Sequence, residues 1–362
     1  MKELNILHLT NVMDVGGVQK IVFQLCKGTR DVLGHVVVAS AGGEYEEQFK
    51  AINIKHFKIE NISTRKVEEI HKLKYQLKQI IEEYNINLIH CHHRMAVLYA
   101  KLWFSNKIII YNNHTIYTDK RLISHFLLSN IFIVADGIQA KKNLTDFFKI
   151  DNSKITIINN AVEEFDGSYS NISEIQREKE NGKFIVMNCS RLHPQKGVTY
   201  FIDSAEILLK RELNISFFIV GDGELRSKLQ QQVKEKGLDN HIFFLGFRKD
   251  IKNTIKNSDL LVQTSLCEGL PLTPMEAFSV GRTVVGTDIE GTREVIENGE
   301  NGLLAESKDA KSIAEKIEQL YRDRGLLEKL NYQAHKTYLE KYSSDVMIKK
   351  YIEFYERLIR KD

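Results

Sequence analysis

The sequence predicts an α/β protein with two doubly wound parallel sheets. Three observations carry that expectation. Short apolar runs alternate with helix-period segments along almost the whole chain. The apolar runs lack strict two-residue alternation, which is how strands buried on both faces read. At 362 residues the chain is too long for one ordinary core, and a polar, aperiodic stretch divides it.

The first series of predicted strands covers 5–9, 36–40, 88–91, 108–112, 131–135 and 155–158. The second covers 184–190, 216–220, 242–245, 260–264 and 283–286. Helix-period segments lie between them, for example at 66–83, 199–211 and 225–236. The polar stretch EEFDGSYSNISEIQREKENGK, at about 163–183, reads as the linker. The expected division is therefore a first domain over 1–165 and a second over 183–342, with a C-terminal helix at about 343–362 packing back on the first. Such Rossmann-like sheets bind ligands at the C-terminal ends of their strands, so the expected site is a crevice between domains that face each other.

Composition excludes several classes. The chain is 43% hydrophobic and 27% charged, as soluble globular proteins are. A net charge of +3 gives no argument for a nucleic-acid partner. Cys26, Cys91, Cys189 and Cys267 are far apart and form no CxxC pair, which fits buried free thiols in a reducing, cytoplasmic setting. The apolar run in MKELNILHLT is too short for a signal peptide. The longest apolar segment, LISHFLLSNIFIVADGI, is broken by His125, Asn130 and Asp136 and reads as a helix end, a turn and a strand.

Several loops look suited to anions. In NCSRLHPQKGVTYF a strand gives way to a basic loop and then a helix, so Arg191 and Lys196 flank a helix start where backbone N–H groups favour negative charge. Two cations there would suit a diphosphate, although solvated surface charges give the same pattern. IVGDGELRSKL is a strand–glycine–helix turn around Gly221 and Gly223. NVMDVGGVQK does the same after the first strand, where Gly16 and Gly17 permit close backbone approach. SLCEGLPLTPMEAF holds two of only three prolines, with Glu268 and Glu276 around them. Thr273 can be read as an N-cap, Pro274 as the first helical residue and Glu276 as the third, a capping box. Glu268 and the free N–H groups near Gly269, Leu270 and Leu272 suggest a ligand loop, and the residues alone leave both roles open for Glu276.

The stretch CEGLPLTPMEAFSVGRTVVGTDIEGTREVIENGENGLL resembles the signature of the family four glycosyltransferases, retaining enzymes of GT-B architecture. SRLHPQKG resembles that family's arginine–lysine motif, VGDGELRSKL the turn before it, and GGVQK its N-terminal glycine loop. The resemblance runs from about residue 5 to residue 304 in the family's order. It implies that Arg191 and Lys196 bind the diphosphate of a nucleotide-sugar donor. Glu276 would hold the ribose and Glu268 the sugar hydroxyls. Backbone amides at Leu270, Leu272 and Thr273 would cradle phosphate beside Gly221 and Gly269. Gly16 and Gly17 would let the first domain close over the donor, and His114 would lie near the transferred sugar. The catalytic set is then His114, Glu268, Arg191 and Lys196, with UDP as the favoured carrier and retention at the anomeric centre. Where relatives often carry a second glycine, Thr292 brings a Cβ, which implies a bulkier or repositioned donor pocket.

No metal is expected. The chain has no Asp-x-Asp motif, so cations should serve the leaving group, and no cofactor is implied. His90, Cys91, His92 and His93 cluster in LIHCHHRMA, but neighbours at a strand end read as alternating between faces, which argues against zinc. The amphipathic stretch STRKVEEIHKLKYQLKQIIEEY mixes charges and reads as a solvated helix face ahead of a membrane-surface helix. With the basic-then-apolar TDKRLISHFLL it leaves peripheral contact with an inner leaflet as an expectation, suited to a glycan or lipid-linked acceptor. Two other readings of the same architecture are a nucleotide-sugar 2-epimerase and a non-catalytic glycan-binding descendant.

Overall fold

The computed structural model describes residues 1–14 and 16–360. The chain forms two compact units, one of residues 1–161 together with the segment from 344 onward, the other of residues 162–343.

The first unit carries a seven-stranded sheet of β1 (Ile6–Leu9), β2 (Val36–Ser40), β3 (Lys55–Lys58), β4 (Leu88–Cys91), β5 (Ile108–Asn113), β6 (Phe132–Ala135) and β7 (Ile155–Ile157). The order is β3-β2-β1-β4-β5-β6-β7, every pair is parallel, and the direction of winding reverses between β1 and β4. Alternate side chains feed two cores. Leu7, Val37, Ile89, Tyr111 and Ile133 meet the helices Val67–Glu83 and Arg94–Trp103. Ile6, Val38, Leu88, Ile110 and Val134 meet Gly17–Thr29 and the C-terminal helix Ser344–Ile359. That last helix belongs to this unit because Met347, Tyr351, Phe354, Tyr355 and Leu358 form one apolar stripe against the sheet. Six of the seven strands coincide with the expected runs to within about a residue. The seventh, β3, has the sequence KHFK with both lysines exposed. An edge strand covered on one face carries no continuous apolar run, so that criterion passes over it.

The second unit carries a six-stranded parallel sheet of β8 (Phe184–Cys189), β9 (Ile215–Val220), β10 (Ile242–Gly246), β11 (Leu260–Gln263), β12 (Val284–Thr287) and β13 (Gly302–Ala305). Its order, β10-β9-β8-β11-β12-β13, reverses between β8 and β11. Five strands match the expected series; β13 is a short edge strand opened by a glycine.

Two sequence expectations need correction. The stretch at 163–183 is not free chain. It contains the helix Ser173–Glu180, buries Ile172 and Ile175, and is tied to the second unit by Ser170 N–H to Asn253 Oδ1 (2.9 Å) and Asn257 Nδ2–H to Ser170 O (2.9 Å). Two apolar residues at helix spacing anchor an otherwise polar segment. Of the cysteines, Cys26, Cys91 and Cys189 are buried free thiols, but Cys267 is exposed. The helix Val67–Glu83 has its apolar face, Leu73, Leu77, Ile80 and Ile81, in the core and its other face in solvent, where Val67 and Tyr75 stand exposed among the charged side chains, in keeping with the solvated-face reading.

The segment 122–138 is a helix (Arg121–Leu128), a left-handed residue at Asn130 (φ 63°) and β6. Among the described residues no helix is long and apolar enough to cross a membrane.

Candidate active site

In the second unit, Lys196 and Glu268 meet at the point where the sheet reverses. β8 ends at Cys189, and the chain passes through Arg191 and a single turn at Pro194–Lys196 before the helix Val198–Lys210. Gly197 makes this possible. Its φ is 58°, and an added Cβ would lie 2.3 Å from the Thr264 carbonyl. The basic loop is laced to the loop after β11 by three hydrogen bonds. Thr264 Oγ1–H donates to Lys196 O (2.9 Å), Leu266 N–H to Gln195 O (2.8 Å), and Gln195 Nε2–H to Cys267 O (2.7 Å). The lacing sets Lys196 Nζ 2.5 Å from Glu268 Oε1.

Glu268 is held through one oxygen. Lys196 Nζ (2.5 Å), Ser265 Oγ (2.6 Å) and Gln263 Nε2 (3.4 Å) all converge on Oε1. Its Oε2 accepts nothing among the described residues. The two side chains are only 24% (Lys196) and 11% (Glu268) exposed, so their attraction is far less screened than at an open surface. Asn188, Ser190, Thr264 and Thr273 complete the pocket wall. Asn188 is itself fixed, donating from Nδ2 to Val262 O (2.9 Å) and accepting from Ser190 Oγ (2.9 Å).

The following helix departs from the expected capping box. It spans Leu272–Ser279 with Pro271 at the cap position and no side-chain cap. Thr273 therefore lies inside the first turn and does not cap. Pro271, with φ −73° and ψ 130°, already supplies the extended entry that a threonine cap would have had to adopt. The N–H groups of Gly269, Leu270, Leu272 and Thr273 have no acceptor among the described residues, those of Leu272 and Thr273 because the first turn of a helix leaves them and those of Gly269 and Leu270 in the loop before it. Glu276 is nearly buried, and burial followed by its charge pushes the Cys189 thiol well up. Gly291 lets the next segment close on this loop. A Cβ there would sit 2.3 Å from Gly269 O and 2.4 Å from Glu268 O.

Gly221 lies beside the same strand end. With φ 126°, it has Ser190 O at 1.9 Å from a hypothetical Cβ, so the β9 turn abuts the β8 turn. Leu192 N–H to Asp222 O (2.9 Å) closes that contact. Arg191 is exposed and makes no ion pair among the described residues. Thr292 corrects another expectation. It is fully buried, with its Cγ2 packed toward Gly286, and is not among the residues that line this pocket.

The remaining expected residues belong to the first unit. Gly16 precedes the helix Gly17–Thr29 and its carbonyl accepts from Lys20 N–H (3.0 Å). His114 follows β5 directly. Behind it, His90 and His92 prove to lie on one face of β4's end, two residues apart, and His8 of β1 sits in register with His90. The alternating-face argument against a histidine cluster is therefore overturned. Residues two apart on a strand share a face. His8, Ser190, Gln263 and Ser265 were not singled out from sequence; for the last three the available signal was a polar residue at or just past the end of an apolar strand.

Comparison with known proteins agrees with this architecture. Residues 15–164 match the family described as "Glycosyltransferase Family 4", and residues 170–337 match "Glycosyl transferases group 1". The chain belongs to this family of GT-B glycosyltransferases. It is 30% identical over 172 residues to a poly(ribitol-phosphate) alpha-N-acetylglucosaminyltransferase of Staphylococcus aureus, covering 47% of this chain and 35% of that protein. It is 32% identical over 184 residues to the UDP-Gal:alpha-D-GlcNAc-diphosphoundecaprenol alpha-1,3-galactosyltransferase of Escherichia coli, covering 49% of this chain and 48% of that one. The matched segments thus span less than half of either relative. The fold is similar to that of Anabaena HepE, solved in complex with UDP and glucose, with TM-score 0.83, 20% identity, and coverage of 98% of this chain and 100% of that one.

Proposed function

We propose that the chain is a hexosyltransferase that moves a sugar from a nucleotide-sugar donor, UDP-linked by preference, to a hydroxyl acceptor in polysaccharide or glycolipid synthesis. The observation that carries this is the convergence on Glu268 Oε1. A lysine and two neutral donors secure one oxygen, while Oε2 and a row of backbone N–H groups stay available. A carboxylate so held is suited to accept sugar hydroxyls, and the helix start to accept phosphate.

Sugar transfer builds positive charge at the anomeric carbon and negative charge on the departing diphosphate. Lys196 keeps two further N–H donors beyond the one given to Glu268. With Arg191 and the N–H groups at 269–273, it would stabilise the leaving group, each such charged contact lowering the barrier by about 3 kcal/mol. The resemblance assigns Glu276 to the ribose and His114 to the transferred sugar. Retention follows from the same resemblance, and both matched relatives are named for alpha linkages. The leaving phosphate would then take the acceptor's proton on the face it departs from. Cations serving the leaving group require no divalent metal, so EDTA should leave the rate unchanged.

A screen of UDP-, GDP- and ADP-sugars by thermal unfolding tests the donor. A ligand at about 100 times its Kd stabilises by about 2.7 kcal/mol. Stabilisation by none of the three, or conversion of the donor to an epimer with no acceptor present, would remove the proposal.

A lipid-linked acceptor is favoured by the surface of the first unit. On the helix Arg121–Leu128, Leu122, Ile123 and Phe126 are 73%, 67% and 74% exposed, directly after Lys120 and Arg121. Lys101 Nζ–H groups cap this helix at the carbonyls of Phe126, Leu127 and Ser129, which holds the apolar side outward. Apolar side chains beside cations suit the interface of an anionic leaflet. The wild type should float with phosphatidylglycerol vesicles, and Leu122→Asp/Phe126→Asp should not. Equal flotation of both would dismiss this surface.

A further inference from the structure

Three histidines of the first unit, His8, His92 and His114, are linked in a row with His90 beside them, and their contacts fix more than their positions. His8 Nδ1 lies 3.0 Å from His92 Nε2, and His92 Nδ1 lies 3.1 Å from His114 Nε2. Each contact joins nitrogen to nitrogen, so one ring must donate and the other accept. Burial pushes His8 down to about 3 and His114 down to about 4, and lowers His90 and His92 well below the usual range. The rings are therefore neutral near pH 7, with one proton each.

One proton per ring and two contacts leave two arrangements for the chain. In the inward one, His114 donates to His92, His92 donates to His8, and His8 keeps its proton on Nε2. That nitrogen is fully buried and has no partner among the described residues. An orphaned buried N–H is a rare defect. In the outward arrangement His8 Nδ1–H donates to His92 Nε2, His92 Nδ1–H donates to His114 Nε2, and no N–H along the chain is orphaned in the core. Asn112 Nδ2, whose own Oδ1 accepts from Tyr351 Oη, lies almost equally far from His114 Nε2 (3.2 Å) and Nδ1 (3.3 Å), which puts it over the ring and in line with neither lone pair, so the His8 end of the chain decides the direction.

We propose that His8 and His92 are positioning residues that hold His114 as the neutral Nδ1–H tautomer, so that it presents a hydrogen-bond donor and not a base. Its use at the transferred sugar rests on the function proposed above; the tautomer does not. A metal would be the competing occupant, since ligand atoms of His8, His90 and His92 lie within 4.8 Å of one another. No carboxylate or thiolate belongs to that cluster to offset a buried dication, and the His8–His92 pair is already at hydrogen-bond length.

The test is long-range nitrogen–proton correlation spectroscopy of the full chain labelled with nitrogen-15 histidine at pH 7. The expected result is His114 protonated at Nδ1. His92→Phe should abolish that signature, and His92→Gln, which keeps one donor and one acceptor, should restore it. His8→Phe gives the same reading should His92→Phe fail to fold. Transfer by His92→Phe should fall about tenfold, the loss of one hydrogen bond, with UDP affinity unchanged. A proton on His114 Nε2 in the wild type, Nδ1–H persisting in His92→Phe, or one equivalent of bound transition metal each overturns the proposal. Full transfer by His114→Ala would instead strike the functional reading of that residue and leave the tautomer result standing.

Discussion

The two sheets reverse direction at equivalent places and put opposite chemistry there. Between β1 and β4 the first unit buries three neutral histidines, His8, His90 and His92. Between β8 and β11 the second unit sets a lysine against a glutamate, both partly open to solvent. The reversal point supplies only a location where strand ends diverge. Whether it becomes a charged binding site or a neutral hydrogen-bonded support depends on the side chains and on how deeply neighbouring elements cover them. In the first unit the C-terminal helix does the covering, with Tyr355 Oη 2.9 Å from His90 Nδ1. In the second, no helix among the described residues closes over the pair, and the side chains of Lys196 and Glu268 keep 24% and 11% of their surface exposed.

The largest effect expected from this contrast is on catalysis. Lys196→Ala and Glu268→Ala should each lower sugar transfer by about 100- to 1,000-fold, with melting temperatures close to wild type. Full turnover by either variant would erase the charged half of the contrast.

The neutral half should show itself in acid. The folded state depresses the histidine pKa values, to about 3 for His8 and about 4 for His114. An unfolded chain takes up those protons near pH 6.5. The stabilising effect is therefore complete above about pH 6.5 and is lost as pH falls toward 3 to 4. Each such histidine costs on the order of 2 kcal/mol at pH 5. The single tryptophan, Trp103, stacks on Tyr99 in the first unit, so its emission reports that unit alone. Urea midpoints followed by tryptophan emission should fall between pH 7 and pH 5. Midpoints that hold steady would contradict neutral burial.

Gly291→Ala sharpens the charged site from the side. Its new methyl would press on the carbonyls of Glu268 and Gly269, and the expected loss is about 1–3 kcal/mol in chemical denaturation. The smallest effect is expected at Thr273. Because the helix starts at Leu272, Thr273→Ala should change stability by less than about 0.5 kcal/mol. A loss above about 1 kcal/mol would reinstate a capping role.

Much of the fold was legible because strands buried on both faces must be apolar throughout. Eleven expected runs correspond to strands, and the two that escaped, β3 and β13, are edges. The site was legible where glycine and proline restrict the chain. Gly197, Gly221 and Pro271 mark the turns that bring β8, β9 and β11 together. His8 escaped because nothing in ILHL distinguishes a core histidine that pairs with another ring from one that is merely packed. Thr273 misled because Ser, Thr or Asn before a helix suggests a cap whether or not the preceding proline already makes the turn.

The sequence by itself determined the alternation of strands and helices, the two-sheet architecture and the places where the backbone must bend, since periodicity, apolar runs and glycine act locally. Tertiary structure alone decided that Lys196 meets Glu268 across 72 residues, that His8 meets His92 across 84, and that Leu122 and Phe126 face outward. Such pairings depend on the parallel register of strands distant in the chain, and no local pattern encodes which strand end will lie beside which.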